Sequence, residues 1–564
     1  MIRLYVANTH SKIDYKDASD EEALRSEEIL LEKFSAKDDS LKRDPMVLKG
    51  YKSDIVCFYN QKLQLIPSGL IPYLQIYYDK AGIKYETVDM RKYPVYDKDF
   101  INQDNVKIGY KEARPYQIEA TKAILKYRGG IIKSATGTGK SMIIALILRA
   151  YHKSNILVMF DQKDLIDQTY HNLINEYGFD ESEVGIIQGP NFQDDRRITL
   201  LSIASYEKAQ HIFPKIRVIM TDETHTTGRA PTAEKIIFSC QNCSVKIGLT
   251  ATTEIDNPAE KMRLFANIGP IVFDASIKDK IEEGYLAKIT INLYEFNTSS
   301  HIPIKGSWGD IYDRRYLSDQ IWKDALEGLG FRVCKVKRKT VAARFLDNVF
   351  TRDDAIAGHY TIDEDIAYRE IDESLITPIA ESLGYKMSRE KGKPVYRKFV
   401  EYGDESTHYV YNDERNDFIA KLAMALERCL ILYEKREHGQ QLLKRIPHAL
   451  VVDGFSDQDA RNSAKKYLAE NKKAIVLASG IFNKGVDIPA LENYINASGG
   501  RSTVQVIQKL GRTTRLNEST GKKEAQVHDL YDIFSPISLS QSRKRQKIYE
   551  DLELPIVFHD YEEA

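Results

Sequence analysis

Cysteine is scarce, with five in 564 residues. A disulfide framework is therefore excluded, and a reducing compartment, the cytoplasm, is expected. Cys240-Gln-Asn-Cys243 is a lone CxxC. It lacks the second pair of ligands that a zinc site needs and reads as incidental. Charge of one sign is missing too. Lys and Arg number 81 against 82 Asp and Glu, a formal net charge of -1. No global basic field exists, so any nucleic-acid contact must come from local patches. Long apolar runs are absent: none approaches the roughly 18 residues that cross a bilayer. The opening MIRLYVANTHSKIDYKD has no apolar signal core, so neither membrane insertion nor secretion is expected. There is no internal repeat and no long low-complexity tract. The remainder is ordinary globular composition, 42% hydrophobic and 29% charged. A chain this long cannot close around one core, so three or four domains are expected.

What the sequence does contain is a glycine-rich turn between two apolar runs: IIKSATGTGKSMIIALIL, from Ile131 to Leu148. Strand, loop, helix is the layout that GxxxxGK[ST] demands, with Ser134 where the general pattern has its first glycine. Gly137 and Gly139 let the backbone from Ser134 through Ala135, Thr136 and Thr138 curl, so that its N–H groups face phosphate oxygens. The helix opening near Ser141 adds the positive end of its dipole. Lys140 is placed to reach β- and γ-phosphates, and the Ser141 hydroxyl to ligate Mg²⁺. The alternative is a glycine-rich turn of no chemical consequence.

The chain then repeats a rhythm of apolar run, polar turn and amphipathic helix. NILVMF (155–160), ITLLSI (198–203), VIM (218–220) and VKIGLT (245–250) read as buried parallel strands. The third feeds TDETH, where Asp222 can hold Mg²⁺ and Glu223 can orient or deprotonate a water. A solvated acidic turn is the alternative. GLTAT (248–252) follows at the next strand end, with threonines able to relay between the nucleotide and a second surface. The second half shows the same rhythm without a phosphate loop: CLILY (429–433), HALVVDG (448–454), KAIVLAS (473–479) and STVQVIQKLGRTTR (502–515). Arg512 and Arg515 stand three apart, so a helix presents them together. They read as arginines supplied across an interdomain cleft, or else as a surface basic cluster.

In their order, SATGTGKS, DETH, GLTAT, GIFNKGVDIP and QKLGRTTR resemble the motor of superfamily 2 helicases. The likeness extends to the phage UvsW-type DNA helicases and the XPB group of repair helicases. It is supported by ARPYQIEATKAIL, GYLAKITI, ERNDFIAKLA, the HG of EHGQQL, GKKEAQVHDLYDIF and SRKRQKIYE. It covers roughly residues 106–296 and 413–550. The resemblance implies that Gln117 reads adenine with Arg114 nearby, and that Lys140, Ser141, Asp222 and Glu223 bind and hydrolyse MgATP. It implies that Thr250 and Thr252 couple hydrolysis to domain closure, and that Gly485 and Asp487 lie at the cleft. Gln508, Arg512 and Arg515 would complete the ATP site from the second domain. Ser205 and Ser479 would touch nucleic acid, Ser479 standing where the family often has threonine. Thr221 is polar where an apolar residue is usual.

The fold class that follows is α/β: two tandem RecA-like doubly wound domains, a small N-terminal α+β domain, and an insert. The boundaries expected are 1–105, 106–296, 297–412 and 413–564. SDEEALRSEEILLEKF (19–34) reads as a capped helix, and 65–91 as turn, helix, glycine stop and strand. The layout resembles a duplex-touching module; a packing domain is the alternative. In the insert, a helix over 372–384 precedes a basic hairpin over 385–400. Its Lys391, Lys393, Arg397 and Lys398 interleave with aromatics, which suggests a winged-helix-like DNA contact or a solvated hairpin. The expected protein is a monomeric ATP- and Mg²⁺-dependent DNA helicase or translocase acting on branched or forked DNA, in a host cytoplasm if of phage origin. An RNA helicase, a translocase serving a restriction complex and an ATP-gated scaffold are the alternatives. Glu223, Arg512 and Arg515 argue against the last.

Overall fold

The structure is a computed structural model. It describes residues 1–296 apart from 104–105 and 136, and pieces of the stretch 315–398. It also describes 409–560 apart from 454–455, 457, 480–489, 501, 518–519 and 535. Gly485, Asp487, Thr136 and Lys391 therefore lie outside the described residues, as do the side chains of Gln508, Arg512, Lys393, Arg397 and Lys398. No helix among the described residues is long and apolar enough to cross a membrane.

The N-terminal unit is built on a four-stranded sheet, in the order Leu65–Pro67, His10–Asp14, Ile2–Val6, Tyr85–Asp89, with helices Asp20–Lys33 and Ile71–Ala81 among those packed with it. Ser19 and Glu22 form a capping box on helix Asp20–Lys33, satisfying donors that the first turn leaves free. Helix Ile71–Ala81 stops at Gly82, whose φ of 68° is the left-handed cap that glycine adopts without strain. Leu30, Leu74 and Tyr78 close the core. Ala266, from helix Pro258–Ile268 of the next domain, belongs to the same cluster. A Cβ on Gly69 would lie 2.3 Å from the Phe265 carbonyl oxygen, so the two units meet backbone to backbone.

The first motor domain is an eight-stranded sheet. Its order runs Asn191–Phe192, Val184–Gln188, Ile198–Ser202, Ile156–Phe160, Val218–Thr221, Val245–Thr250, Gly130–Ser134, Ile271–Ala275. Every pairing except the first is parallel. Ile156–Phe160 and Ile198–Ser202 are buried at every position, as strands covered by helices on both faces must be. The strand expected over 245–250 spans Val245–Thr250.

The second motor domain is a seven-stranded, wholly parallel sheet. Its order is Leu450–Val452, Ile475–Ala478, Cys429–Leu432, Asn493–Asn496, Glu524–Asp532, Lys288–Phe296, Ile556–Asp560. Strand Lys288–Phe296 pairs along its whole length with Glu524–Asp532. The chain therefore enters the second sheet before the boundary expected at 296. Segments that carried the family likeness without an assigned task meet in the core of this domain. Arg415 is fully buried and bonds Asp532, Nε–Oδ1 2.9 Å, and Arg545 Nε bonds Asp529 at 2.8 Å. Burial, with Arg415 and Arg445 nearby, pushes His438 down to about 3, so it is neutral where its Nε2 meets Asn416 Oδ1 at 2.9 Å. A Cβ on Gly439 would fall 2.5 Å from the Tyr433 ring, which explains the glycine. Arg415→Leu leaves Asp532 buried without its cation, and is expected to cost about 3–5 kcal/mol of stability in denaturant unfolding. Replacing Asp532 by leucine as well should recover most of that loss, and a mild single variant would refute the account.

The insert contains two small antiparallel sheets. One joins Arg332–Val336, Lys339–Phe345, Ile366–Glu370 and Thr361–Asp363. The other joins Arg315–Tyr316 to the hairpin of Lys386–Glu390 and Lys393–Lys398. Helix Glu373–Ser382 precedes the hairpin.

Candidate nucleotide site

Three neighbouring strands of the first motor sheet end side by side at Ser134, Thr221 and Thr250. The residues after each strand converge on one crevice at the carboxyl edge, where open α/β sheets place ligands. In the glycine-rich loop, Gly137 and Gly139 have φ of 89° and 78°, and Gly139 caps helix Lys140–Ala150. The loop is braced from behind. Ser134 Oγ and Thr138 Oγ1 lie 2.7 Å apart, and Thr138 Oγ1 also donates to the Ala135 carbonyl at 2.6 Å. Tyr116 O–H and Gln117 Nε2 (2.9 Å) both donate to the Thr138 carbonyl. Gln117 Oε1 accepts the Arg114 N–H at 2.9 Å. Both ends of the Gln117 amide are thus engaged by protein, and the residue supports the loop. The Arg114 guanidinium lies 5.2 Å from the Tyr285 ring centre.

Across the crevice, Lys140 Nζ stands 3.4 Å from Glu223 Oε1. Glu223 has φ of 46°, uncommon for a residue with a Cβ and a form of strain that collects at functional sites. Asp222 Oδ1 accepts the Glu223 N–H at 2.9 Å. Burial, with the Glu223 carboxylate beside it, pushes Asp222 up to about 6, against the pull of Lys140. Asp161, at the end of the adjacent strand, adds to that negative field. Its Oδ1 is buried with no hydrogen-bond partner among the described residues. His225 is fully buried and pushed down to about 4 by burial, so it is neutral at pH 7. Its Nδ1 lies 2.9 Å from Thr250 Oγ1 and 3.4 Å from Glu223 Oε2. The Thr250 hydroxyl in turn donates to the Thr252 carbonyl at 2.6 Å and accepts the Thr252 N–H. A chain of contacts therefore runs from Lys140 through Glu223, His225 and Thr250 to Thr252. Thr221 is buried, its hydroxyl against that of Thr224, which accounts for a polar residue at the strand end.

The second domain reaches the same loop. A Cβ built on Gly137 would lie 3.1 Å from Thr514 Oγ1 and 3.2 Å from Arg515 Cγ. Arg515 follows helix Thr503–Thr513, on which Gln508 and Arg512 also lie. Burial lowers the Arg515 pKa, the sign of a cation held out of water. The segment is fixed by the Ala287 N–H donating to the Thr514 carbonyl at 2.7 Å and by Lys522 Nζ donating to Thr513 at 2.7 Å. Among the described residues, the ion pairs that span the domains include Arg461–Asp164 at 3.4 Å and Lys544–Asp256 at 2.6 Å.

Other expected site residues sit apart. Ser205 is buried and its hydroxyl accepts the Gly189 N–H at 3.2 Å. Ser479 follows strand Ile475–Ala478, its N–H donating to the Val452 carbonyl at 3.0 Å. The bracing by Tyr116, the left-handed Glu223 and the tie from Lys522 are structural features that local sequence barely marks. Only Tyr116 left a signal there, one position before Gln117 in ARPYQ.

Oxygen ligands at Ser141 and Asp222 suit Mg²⁺, a hard cation held by one or two carboxylates together with phosphates and water. No cluster of three or more His, Cys, Asp or Glu that could hold a metal occurs among the described residues. The two Cys of the CxxC motif are buried, and burial pushes Cys243 up to about 11, away from metal binding or redox chemistry.

Residues 110–255 match the family "Type III restriction enzyme, res subunit", and residues 415–517 match "Helicase conserved C-terminal domain". The ATP-dependent DNA helicase uvsW of Enterobacteria phage T4 is 22% identical over 514 residues, 86% of this chain and 83% of that protein. The DNA 3'-5' translocase XPB2 of Sulfurisphaera tokodaii is 27% identical over 457 residues, 78% of this chain and 88% of that protein. The crystal structure of T4 UvsW aligns with 99% of both chains at 20% identity and a TM-score of 0.43.

Proposed function

We propose that this chain, which carries the two motor domains of a superfamily 2 DNA helicase, hydrolyses MgATP between those domains and uses the cycle to move branch points in DNA. The observation that carries the ATP reading is the meeting at Gly137: the phosphate loop of one domain touches the Arg515 segment of the other. Mg²⁺, which Ser141 and Asp222 would hold, would supply positive charge against the charge developing on the phosphates. This chain's own residues do the rest. The loop amides and Lys140 hold the phosphates, and Ser141 and Asp222 hold the cation. Glu223 takes the proton of the attacking water, and Arg515 faces charge that grows in the transition state. The His225–Thr250–Thr252 contacts lead away from Glu223, which supports a coupling task for the two threonines.

DNA is favoured over RNA because the relatives aligned along most of the chain are by name a DNA helicase and a DNA translocase. Branch movement is favoured over long unwinding by energetics. Opening duplex costs a mean of about 1.4 kcal/mol per base-pair step, on the order of 28 kcal/mol for twenty steps. Moving a junction breaks one pair and makes another, so the net cost per step is near zero. The accessory units flanking the first motor domain are modest in size, which suits the cheaper reaction. The protein is expected to regress model forks and migrate four-way junctions at concentrations that leave a blunt duplex of equal length closed. Gel assays and ATPase rates with single strands, duplex, forks, junctions and RNA test this side by side. Equal or faster separation of a simple tailed duplex, without preference for branches, would overturn the branch reading; strongest stimulation by RNA would overturn the choice of DNA.

A further inference from the structure

The N-terminal unit and the first motor domain meet closely, yet between them lies a cavity of about 420 Å³, partly open to solvent. It lies at the amino ends of strands Gly130–Ser134 and Val245–Thr250, on the far edge of the sheet from the phosphate loop. Its walls include Arg91, Arg128 and Lys246, and no carboxylate lines it. Arg91 is neutralised by Asp89, Nε–Oδ1 2.8 Å. The other two cations have no carboxylate partner among the described residues. The Arg128 guanidinium stacks 4.3 Å from the Tyr93 ring centre. Lys246 is buried, and its Nζ donates to the backbone carbonyl of Asn8 at 2.6 Å.

A buried ammonium with only a neutral carbonyl for company is costly. Burial drives Lys246 down to about 8, with Arg91 adding to the fall, and Lys246 in turn helps burial lower His10. A strut between domains needs a hydrogen-bond donor; it does not need charge. An anion in the cavity removes the difficulty.

We infer that this interdomain cavity is a phosphate-binding site, with Arg128 and Lys246 as its cationic donors. The phosphate group is supplied either by a DNA backbone lying across the N-terminal unit or by a free phosphate compound. The first source rests on the DNA reading above; the second does not. The site shares strand Gly130–Ser134 with the ATP loop, about 13 Å away at 3.3 Å per residue, so occupancy and nucleotide state have a common element.

The test uses the full chain carrying Lys140→Ala, so that the phosphate loop does not compete. Pyrophosphate binding is measured by calorimetry, and the salt dependence of short-duplex binding by titration. Each is repeated with Arg128→Asn and with Lys246→Met added. Arg128 is exposed with φ of 59°, a conformation that asparagine tolerates, so the first variant keeps the fold even if the second does not. A salt slope lower by about one in Arg128→Asn assigns the site to DNA phosphate. Pyrophosphate binding about tenfold weaker, with the slope unchanged, assigns it to a free phosphate compound. If Arg128→Asn alters neither measurement, the inference is overturned, whether or not the protein binds DNA.

Discussion

Lys140→Ala is expected to abolish ATP turnover with and without DNA. The Lys140 side chain is only slightly exposed, at the start of a helix whose preceding loop is pinned from behind by Tyr116 and Gln117. Alanine therefore removes the charge expected at the β- and γ-phosphates, together with the ammonium 3.4 Å from Glu223 Oε1. Loss of one preorganised charge in such a site is worth on the order of 10²–10³ in rate, and here ground-state binding falls with it. Glu223→Gln should behave differently. It preserves shape and removes the proton acceptor, so ATP binds and is retained while phosphate release stops. Steady-state phosphate release and nucleotide retention measure the two. Near-normal DNA-stimulated turnover in Lys140→Ala would sink the assignment of the phosphate loop.

Arg515→Ala is expected to cut kcat by roughly 10³–10⁵ while ATP affinity changes only a few-fold. The side chain reaches the loop from the other domain, and its stem lies against Gly137. Burial already disfavours its charge. A cation held in that condition repays its desolvation when negative charge grows opposite it, which is a transition-state effect. Arg515→Lys should restore little, because a compact ammonium does not reproduce the planar fork of a guanidinium. Rapid-quench turnover and equilibrium ATP binding separate the terms. A raised KM with unchanged kcat would make Arg515 a ground-state binder and refute the cross-domain role.

Much of this was legible from local pattern. Parallel strands buried on both faces leave continuous apolar runs, so VKIGLT and NILVMF announced themselves. Glycines at positive φ beside a lysine leave a spacing, so the phosphate loop did as well. Pairings between distant residues leave neither. Arg415 and Asp532 lie 117 residues apart, and nothing near either one names the other. The apolar alternation of KITINLYEF specifies a strand but not which of two neighbouring sheets receives it, hence the boundary expected too late. The left-handed backbone of Glu223 is likewise silent, because DETH reads the same with any φ.

The placement of strand Lys288–Phe296 has a consequence for how the motor can move. Phe296 stands opposite Asp532 in the sheet, and Asp532 is also the partner of Arg415. The chain thus departs from the second domain and comes back to it at one and the same residue. Topologically the intervening stretch is a cassette mounted on the second domain rather than a tether strung between two. Its length sets no limit on how far the domains separate. The covalent leash is instead the short run between Ala275 and Lys288, which includes the Ala287 tie to Thr514. Any movement of the second domain relative to the first would therefore pull on both ends of this stretch together.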